Sequence, residues 1–524
     1  MAVRALRRAA ELDPDDAGVW LGLGRAHRAL EDDAAAGEAL ERAAALDPAR
    51  ASIWRELAGV CQRLSLYSRQ TQVLRQLAAL EPNEAAHAHA LGLALCYSGC
   101  VRQGVNAFRR AVALDSEFDA PYSCIAMGLQ MLPGTRPERV FHAHRAWPAD
   151  PPVSTIPGPR RQPGVIRVGY VSGQLFDCSP AFFLEPLLAA HDRRLIRSYC
   201  YSNIARPDAV SRRLRALVAG WRDISMLNDG AAAEAVEKDR IDILVDLDGH
   251  AHGHRLGVFA RRAAPVQVTY LGYPNTSGLA EMDYRVTDSA CDPPGQTERF
   301  HTETLLRLDP CFLTYRPPPD APEPSPSVAG RRPFTFACFA AMPKLHAGSI
   351  AVYASILRQV PGSRLVLKNR ALADPAIVER LERQFRREGV DASRLRLLAY
   401  LPRRESHLDL YREADLALDS FPYAGTTTTC EALWMGVPVV SLVGKTHVER
   451  VGLTLLRQAG LPALAATSCE EFIRTAVEWA SDRGRLARVR RGLRRRLRAS
   501  ALLDAGGYAR RFEALLQSLV IGGA

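Results

Sequence analysis

Apolar residues in the first quarter of the chain recur at the three- and four-residue spacing of amphipathic helices. Leu-Asp-Pro stands at 12–14 and 46–48, and the related triplets Leu-Glu-Pro and Leu-Asp-Ser stand at 80–82 and 114–116, which is a constant interval of 34 residues. Because proline ends a helix and two helices fit this length, the pattern predicts a solenoid of two-helix repeats over 1–147. A helical bundle without repetition is the alternative.

Small residues recur inside the repeats, at Gly24, Ala58 and Gly92. Together with Trp20 and Trp54 they match the spacing of a tetratricopeptide repeat, in which a small residue lets the first helix approach the second. Such a solenoid offers a concave groove for extended peptides. This segment therefore predicts a protein partner.

After the repeats, short apolar runs alternate with helical segments. VIRVGYVSG and IDILVDLDG come before a proline-rich stretch at 316–330, and FTFACFA and VPVVSLVG follow it. Runs without polar alternation are typical of parallel strands covered by helices on both faces. Together with a second proline-rich stretch at 148–164, they predict Rossmann-like lobes at 165–316 and 331–520.

Candidate chemistry is expected at strand ends, because ligands of such sheets bind outside the carboxyl ends of the strands. One strand is predicted to end at Asp419, and a turn containing Gly425 leads to an apolar helix predicted over 430–435. Hydroxyls and free N–H groups at a helix N-terminus suit a diphosphate, whereas an ordinary cap needs one threonine. Four threonines stand there: Thr426, Thr427, Thr428 and Thr429.

Four further positions carry groups suited to a nucleotide. Glu431, in the first turn of that helix, could accept hydrogen bonds from a ribose. Lys344 follows the first strand of the second lobe and could place a positive charge on a leaving diphosphate, although a surface lysine is the alternative. Arg404 and His407 precede a predicted helix and could face the nucleotide or the solvent.

A metal site is not predicted. Five acidic and histidine residues alternate along one loop, which gives no closed coordination sphere: Asp246, Asp248, His250, His252 and His254. Eleven scattered cysteines without a CxxC pair favour reduced thiols in a cytoplasm. No apolar run approaches the roughly 20 residues of a membrane span.

The net charge of +11 fits an anionic partner. Its densest stretch, at 485–500, interleaves no aromatic residue that could stack on bases. We therefore expect a solvated helix face there, and nucleic-acid binding is a minor alternative.

Several motifs resemble one family. The tetratricopeptide pattern together with RVGYVS, IDILVDLDGH, APVQVTYLGYPNTSG, MDYRVTD and PYAGTTTTCEALWMGVPVV is similar to the O-GlcNAc transferase and SPINDLY proteins. This resemblance implies a GT-B fold and transfer of a sugar from a nucleotide diphosphate to serine or threonine hydroxyls, with inversion and without a metal or other cofactor. It also implies that the repeats select a protein acceptor.

The resemblance assigns roles position by position. It implies that Lys344 stabilises the departing diphosphate, that Thr426 to Thr428 bind the phosphates and that Glu431 contacts the ribose. Arg404 and His407 match positions near the base. The donor stays open between UDP-GlcNAc and GDP-fucose, and a homodimer is possible.

Two departures from the family pattern weaken the polar lining of the site. Cys178 stands at a family histidine with Gln174 at its aspartate, and Ala340 and Ala341 replace two asparagines. A neutral thiol cannot replace imidazole unless its pKa is lowered.

The catalytic base is therefore open, with Asp177, Asp248 and His250 as candidates. A silent nucleotide-sugar-binding scaffold and a glycosyltransferase with a non-protein acceptor are the alternative functions.

Overall fold

The computed structural model describes residues 1–148, 164–325, 333–401 and 403–521. The chain divides into two compact units, each made of more than one segment. The first unit comprises Met1–Leu132, Phe339–Ala354 and Val366–Leu401, and the second comprises Pro133–Cys338, Ser355–Leu365 and Pro402–Ala524.

Antiparallel helix pairs form the repeat region, as the 34-residue period predicts. Its helices are α1 (Ala2–Leu12), α2 (Ala17–Ala29), α3 (Asp33–Leu46), α4 (Ala51–Arg63), α5 (Tyr67–Leu80), α6 (Ala85–Tyr97), α7 (Val101–Leu114) and α8 (Ala120–Met131). The next helix, α9 (Pro137–Arg145), belongs to the second unit.

The same hydrogen bond recurs from repeat to repeat. The indole Nε1–H of Trp20 donates to the carbonyl oxygen of Pro14 at 2.9 Å, and Trp54 does the same to Pro48 at 2.9 Å. These bonds join the starts of α2 and α4 to the prolines that follow α1 and α3.

The small residues lie where helices cross, as predicted. A Cβ atom added to Gly24 would stand 2.6 Å from Cγ of Leu40, and one added to Gly92 would overlap the ring of Phe108. The two helices of each of these repeats therefore approach more closely than any larger residue allows.

The first sheet is parallel and lies within the second unit. Its strands are β1 (Ile166–Ser172), β2 (Ile196–Ser202), β3 (Gly220–Asp223), β4 (Ile243–Asp246), β5 (Val266–Thr269), β6 (Tyr284–Thr287) and β7 (Thr304–Arg307). They stand in the order β3-β2-β1-β4-β5-β6-β7, with Ile166 opposite Ile196 and Val168 opposite Ile243. The order reverses direction at β1, which is the arrangement of a doubly wound sheet.

Helices connect these strands, and the central strands β1 and β4 are almost entirely buried, as in a parallel sheet covered on both faces. The helices are α10 (Ala181–Ala190), α11 (Ala209–Leu217), α12 (Asp229–Lys238) and α13 (Leu256–Ala260).

The second sheet has the order β10-β9-β8-β11-β12-β13. Its strands are β8 (Thr335–Cys338), β9 (Arg364–Lys368), β10 (Leu395–Leu398), β11 (Leu416–Leu418), β12 (Val439–Leu442) and β13 (Ala465–Ala466). The helices that follow in the chain are α14 (Ala347–Gln359), α15 (Pro375–Arg387), α16 (Arg404–Leu410), α17 (Thr427–Trp434), α18 (Val451–Gln458), α19 (Cys469–Ser481), α20 (Arg483–Arg498) and α21 (Ala505–Ile521).

The last helix, α21, packs on the first lobe, although the segment predicted for the second lobe, 331–520, contains it. Tyr508 donates its hydroxyl to the carbonyl oxygen of Phe312 at 2.7 Å, and Glu513 accepts from the ring of His191 at 2.9 Å. These hydrogen bonds join residues 196 and 322 positions apart, which no local pattern in the sequence predicts.

Helix α20 differs in part from the solvated helix that its composition predicts. Arg490 donates to the carbonyl oxygens of Ala414 and Asp415 at 2.7 and 2.8 Å, and Arg494 is also buried. Both guanidinium groups donate to backbone carbonyl oxygens, which compensates part of the cost of burying them.

Within the described ranges, no helix is both long enough and apolar enough to cross a membrane.

Replacing Gly92 with alanine should loosen the third repeat, because the added methyl group has no space beside Phe108. Overpacking of this kind costs about 1–3 kcal/mol. We expect faster amide hydrogen exchange, measured by mass spectrometry, in peptides from α6 and α7. Gly59→Ala is the matched control: its Cβ would have only the guanidinium of Arg63 nearby, at 3.7 Å. Equal exchange in wild type and Gly92→Ala would contradict the close approach.

Candidate functional site

The threonines form the first turn of α17. The helix begins at Thr427 with Thr426 as its N-cap, so the sequence-based start at residue 430 is wrong by one turn. Cys430 is the first residue to donate an intrahelical bond, to the carbonyl oxygen of Thr426 at 3.0 Å. The three amides before it point out of the end of the helix, as in other anion-binding helix termini.

The opposite end of this helix is neutralised. Arg494 donates from Nε to the carbonyl oxygen of Trp434 at 2.9 Å and lies over its ring, 4.6 Å from the centroid. A cation at the C-terminus complements the helix dipole there. The N-terminal end with its threonines is thereby left as the end that attracts an anion.

A buried carboxylate holds the turn that leads into α17. Asp419, directly after β11, accepts from the amides of Ser420 and Gly425 at 2.9 and 2.8 Å and from the hydroxyl of Ser441 at 2.7 Å. Gly425 has no space for a side chain, because a Cβ there would stand 2.5 Å from Oγ1 of Thr428. The backbone before the helix is therefore fixed in place.

The four threonines are not equivalent. Thr426, Thr427 and Thr428 are half-buried, whereas Thr429 is 2% exposed and donates its hydroxyl to the carbonyl oxygen of Gly425 at 3.2 Å. The first three are thus open to a ligand, and the fourth closes the turn.

Glu431 and His407 meet beside the threonines. His407 lies inside α16, which begins at Arg404, so both predicted residues are helical and do not precede the helix. Its Nε2 atom is 2.9 Å from Oε2 of Glu431. The structure therefore brings together two residues that lie 24 positions apart.

Arg404 reaches the loop that follows β1. Its guanidinium is 2.9 Å from the carboxylate of Asp177 and lies over the ring of Phe182, 3.9 Å from the centroid. This ion pair and this cation–π contact join a helix of the second lobe to the first lobe at a strand end.

Asp248 lies beneath the same loop and organises its backbone. It is 1% exposed and accepts from the hydroxyl of Ser172 at 2.8 Å, the amide of Gly173 at 2.6 Å and Nε2 of Gln174 at 3.0 Å. Burial, and then the charge of Asp246, raise the pKa of Asp248 to about 7. In this arrangement the carboxylate positions the loop.

His250 is buried in a cluster of aromatic rings. Its Nε2 atom donates to the carbonyl oxygen of Ser277 at 2.7 Å, and its ring centroid is 5.0 Å from that of His144 and 5.5 Å from that of Tyr273. Burial lowers the pKa of His250 to about 3, so the imidazole is neutral at pH 7. Over the part of the chain that the structure describes, no group of three or more His, Cys, Asp or Glu residues has metal-binding geometry.

The thiol of Cys178 is not an activated group. It donates to the carbonyl oxygen of Gln174 at 3.0 Å, and burial raises its pKa to about 12. The thiol is therefore protonated at neutral pH and does not replace the imidazole of the family pattern.

Lys344 lies in the first unit, at the end of the 3₁₀ turn Met342–Lys344, and is half-buried. Its amide donates to the carbonyl oxygen of Ala341 at 3.0 Å. Ala340 is buried beside this turn, and Ala341 is exposed.

Sequence reasoning missed a polar cluster where the two lobes meet within the second unit. Nδ1 of His447 is 2.7 Å from Oδ2 of Asp292, and the hydroxyl of Thr454 donates to Asp288 at 2.9 Å. The guanidinium of Arg450 donates to the carbonyl oxygen of Ala290 at 2.8 Å. The acidic residues of MDYRVTDSACD were visible in the sequence, but their partners lie about 160 residues away.

The pattern that defines glycosyl transferase family 41 matches residues 152–314 and 332–512, which is most of the two lobes. The chain belongs to this family. The predicted resemblance is thereby confirmed.

Two plant proteins of this family are named as probable UDP-N-acetylglucosamine–peptide N-acetylglucosaminyltransferases SPINDLY. The one from Arabidopsis thaliana is 38% identical over 385 residues, covering 71% of this chain and 42% of the relative. The one from Solanum lycopersicum is 36% identical over 392 residues, covering 73% and 42%. The chain thus spans about two fifths of the length of these relatives.

A solved structure extends the comparison to nearly the whole chain. It is a lysine-to-methionine mutant of the Thermobaculum terrenum O-GlcNAc transferase, 36% identical, with a TM-score of 0.85 over 97% of both chains. Together with the two parallel sheets, it confirms the predicted fold class, an α-solenoid followed by a GT-B fold of two Rossmann-like lobes.

Replacing Asp248 with asparagine should change how stability depends on pH. The pKa of the folded state, about 7, exceeds the ordinary value of 3.8, so folded protein holds a proton that the unfolded chain has lost in this interval. Raising the pH from about 4 to about 7 therefore lowers the free energy of unfolding of the wild-type protein. We expect the unfolding temperature of wild type, measured by scanning fluorimetry, to fall relative to Asp248→Asn between about pH 5 and pH 8. Parallel curves would contradict the raised pKa.

Proposed function

We propose that the chain is a protein O-glycosyltransferase, which transfers a sugar from a nucleoside diphosphate to serine or threonine hydroxyls. The observation that carries this proposal is the N-terminus of α17. Three half-buried threonines and the free amides of a helix stand there on a turn fixed by Asp419, and Arg494 neutralises the far end. Such a terminus suits a diphosphate.

The proposed reaction is a single inverting displacement. The acceptor oxygen bonds to the anomeric carbon while the bond from that carbon to the diphosphate oxygen breaks, and the diphosphate leaves with the electron pair. The α17 amides and hydroxyls stabilise its growing charge, and the family resemblance adds the ammonium group of Lys344. One well-placed donor of this kind contributes about 3 kcal/mol. No metal is part of this proposal.

The acceptor proton needs a route but not a strong base. His250 is neutral and already donates to Ser277, and Asp248 is buried under its loop, so we assign them to positioning the strand-end loops. Asp177 is more exposed and is paired with Arg404. We propose that the proton leaves late in the reaction, through water beside Asp177.

The nucleotide base and the sugar are proposed only as alternatives. The names of the plant relatives favour UDP-GlcNAc. The motif YAGTTTTCE is similar to that of proteins that use GDP-fucose. We propose that Glu431 and His407, whose Oε2 and Nε2 atoms are 2.9 Å apart, contact the ribose and the base. The tetratricopeptide groove is proposed to hold the acceptor protein in a reducing compartment such as the cytoplasm, and a homodimer remains a proposal.

A silent nucleotide-sugar-binding scaffold is the second candidate function. The observation that favours it is Cys178, whose protonated thiol stands where the family pattern has histidine. A glycosyltransferase with a glycan, lipid or small-molecule acceptor is the third.

Titration calorimetry with UDP and GDP tests the donor site. We expect one nucleotide to bind, and we expect Lys344→Ala and Thr427→Val each to weaken it about tenfold or more, because charge-assisted hydrogen bonds contribute about 1.5–3 kcal/mol. Lys238→Ala is the control, since this lysine is 77% exposed and faces Glu234 on α12. Binding of neither nucleotide would overturn the assignment to nucleotide sugars.

Mass spectrometry of acceptor proteins separates the three candidate functions. With UDP-GlcNAc or GDP-fucose added, an active protein transferase gives a gain of one sugar mass on serine or threonine, and the gain is lost in Lys344→Ala. Nucleotide binding without any mass gain supports the scaffold, and sugar found only outside the protein fraction supports a non-protein acceptor.

A further inference from the structure

The turn that carries Lys344 is packed against the repeats. The residues 339–354 belong to the same compact unit as the solenoid, and helix α6 of the third repeat contacts the turn Met342–Lys344 directly. The solenoid is therefore part of the immediate surroundings of this lysine.

The turn between α6 and α7, residues 98–100, also lies against this segment. Gly99 has φ +88°, its amide donates to the carbonyl oxygen of Cys96 at 2.8 Å, and the amide of Cys100 donates to Leu95 at 2.8 Å. This is a Schellman motif with glycine in the left-handed position. The motif gives the turn a defined shape, so it can act as a rigid surface.

Met342 and Arg380 lie directly on this turn. A Cβ atom added to Gly99 would stand 3.1 Å from Cγ of Met342 and 3.3 Å from Nη2 of Arg380. The guanidinium of Arg380 also donates to the carbonyl oxygen of Ser98, and Nη1 is 3.8 Å from Sγ of Cys100. A side chain at position 99 would therefore press on both Met342 and Arg380.

A second contact comes from the preceding repeat. The amide of Ser68, in the first turn of α5, donates to Oδ2 of Asp374 at 2.6 Å, while Oδ1 of Asp374 caps α15 through the amide of Ala376 at 3.0 Å. Because Asp374 is 3% exposed, this pairing is shielded from water. Two successive repeats thus hold the elements around the lysine turn.

The connection to Lys344 is short and stiff. Met342 is 3% exposed, and its carbonyl oxygen accepts from the amide of Leu345 at 3.0 Å. Lys344 stands between these two residues in a hydrogen-bonded turn, so a shift of the Met342 backbone is passed to the lysine.

We propose that the 98–100 turn of the third repeat is a positioning element for Lys344, so that the solenoid sets the rate of the chemical step as well as holding an acceptor. This inference rests on the role of Lys344 in the proposed function.

The test compares Gly99→Ala with Gly362→Ala in the full-length chain. Both glycines have positive φ, +88° and +72°, but a Cβ at Gly362 would have no atom within 4 Å. The two variants therefore share the backbone strain, and only the first pushes on Met342 and Arg380. The assay is the release of UDP or GDP from the sugar donor without acceptor, in which water supplies the oxygen that bonds to the anomeric carbon.

We expect Gly99→Ala to lower kcat by about 3- to 10-fold with little change in KM, because a Cβ at 3.1 Å from Met342 displaces its neighbours by a few tenths of an ångström, whereas about 1 Å costs about 100-fold. Gly362→Ala should match wild type. An equal loss in both variants, or a loss in KM alone, would overturn the proposal.

A double-mutant cycle with Lys344→Ala identifies the route of the effect. If the turn acts through the lysine, Gly99→Ala has no further effect on kcat once Lys344 is alanine. Losses that multiply would overturn the inference and leave the proposed function intact. If Lys344→Ala is as active as wild type, the role of Lys344 and this inference both fail.

Two provisions keep the test decisive. If Gly99→Ala does not fold, Met342→Ala takes its place, and Met342→Leu should restore kcat because it refills the contact. If wild type releases no nucleotide, the same cycle is run on the affinity for UDP and GDP by calorimetry. Additive losses of affinity, or no binding, would then overturn the proposal.

Discussion

The site depends on buried aspartates whose carboxylates accept hydrogen bonds from backbone amides where parallel strands end. A strand that stops beneath a loop leaves N–H groups in the interior, and an unpaired donor there costs about 1–3 kcal/mol. Asp246 accepts from the amides of Asp248 and Gly249, and Asp288 accepts from those of Ala290 and Cys291. Asp419 does the same before α17. One device thus shapes the loops at the ends of three strands.

Buried arginines bind carbonyl oxygens in the same region, as the aspartates bind amides. Arg490 and Arg494 come from a helix whose composition suggests only a charged surface, yet both are buried against carbonyl oxygens at the base of β11 and the end of α17. The start of β11 and the C-terminal end of α17, the helix that carries the threonines, are thereby fixed. A rigid scaffold of this kind allows hydroxyls and amides to be held ready for an anion without reorganisation.

The repeats have the same dependence on backbone groups. An indole-to-carbonyl bond recurs at the start of α2 and of α4, and the glycine turn after α6 presents carbonyl and Cα atoms without a side chain to the neighbouring segment. The segment that meets this turn contains Lys344. The linear sequence suggests a boundary between the repeats and the two lobes. The structure divides differently, because the unit that contains the repeats also contains residues 339–354 and 366–401.

The sequence by itself determined the elements with a strong period and the residues that must be of one type. The 34-residue interval gave the helix pairs, unbroken apolar runs gave the parallel strands, and the threonine cluster located the helix terminus, although its start was placed one turn late because threonine is a weak helix former in isolation. The two lobes with parallel strands followed from these local patterns, and the GT-B fold followed from the resemblance to a family.

Only the tertiary structure decided which polar groups meet. It paired His407 with Glu431, Arg404 with Asp177 and His447 with Asp292, and it placed α21 on the first lobe. It also buried Asp248, His250 and Thr429, which the sequence presented as equal candidates beside accessible residues. The reason is physical: hydrophobic periodicity is a local property of the chain, whereas burial, charge pairing and the resulting pKa values depend on groups brought together from distant positions.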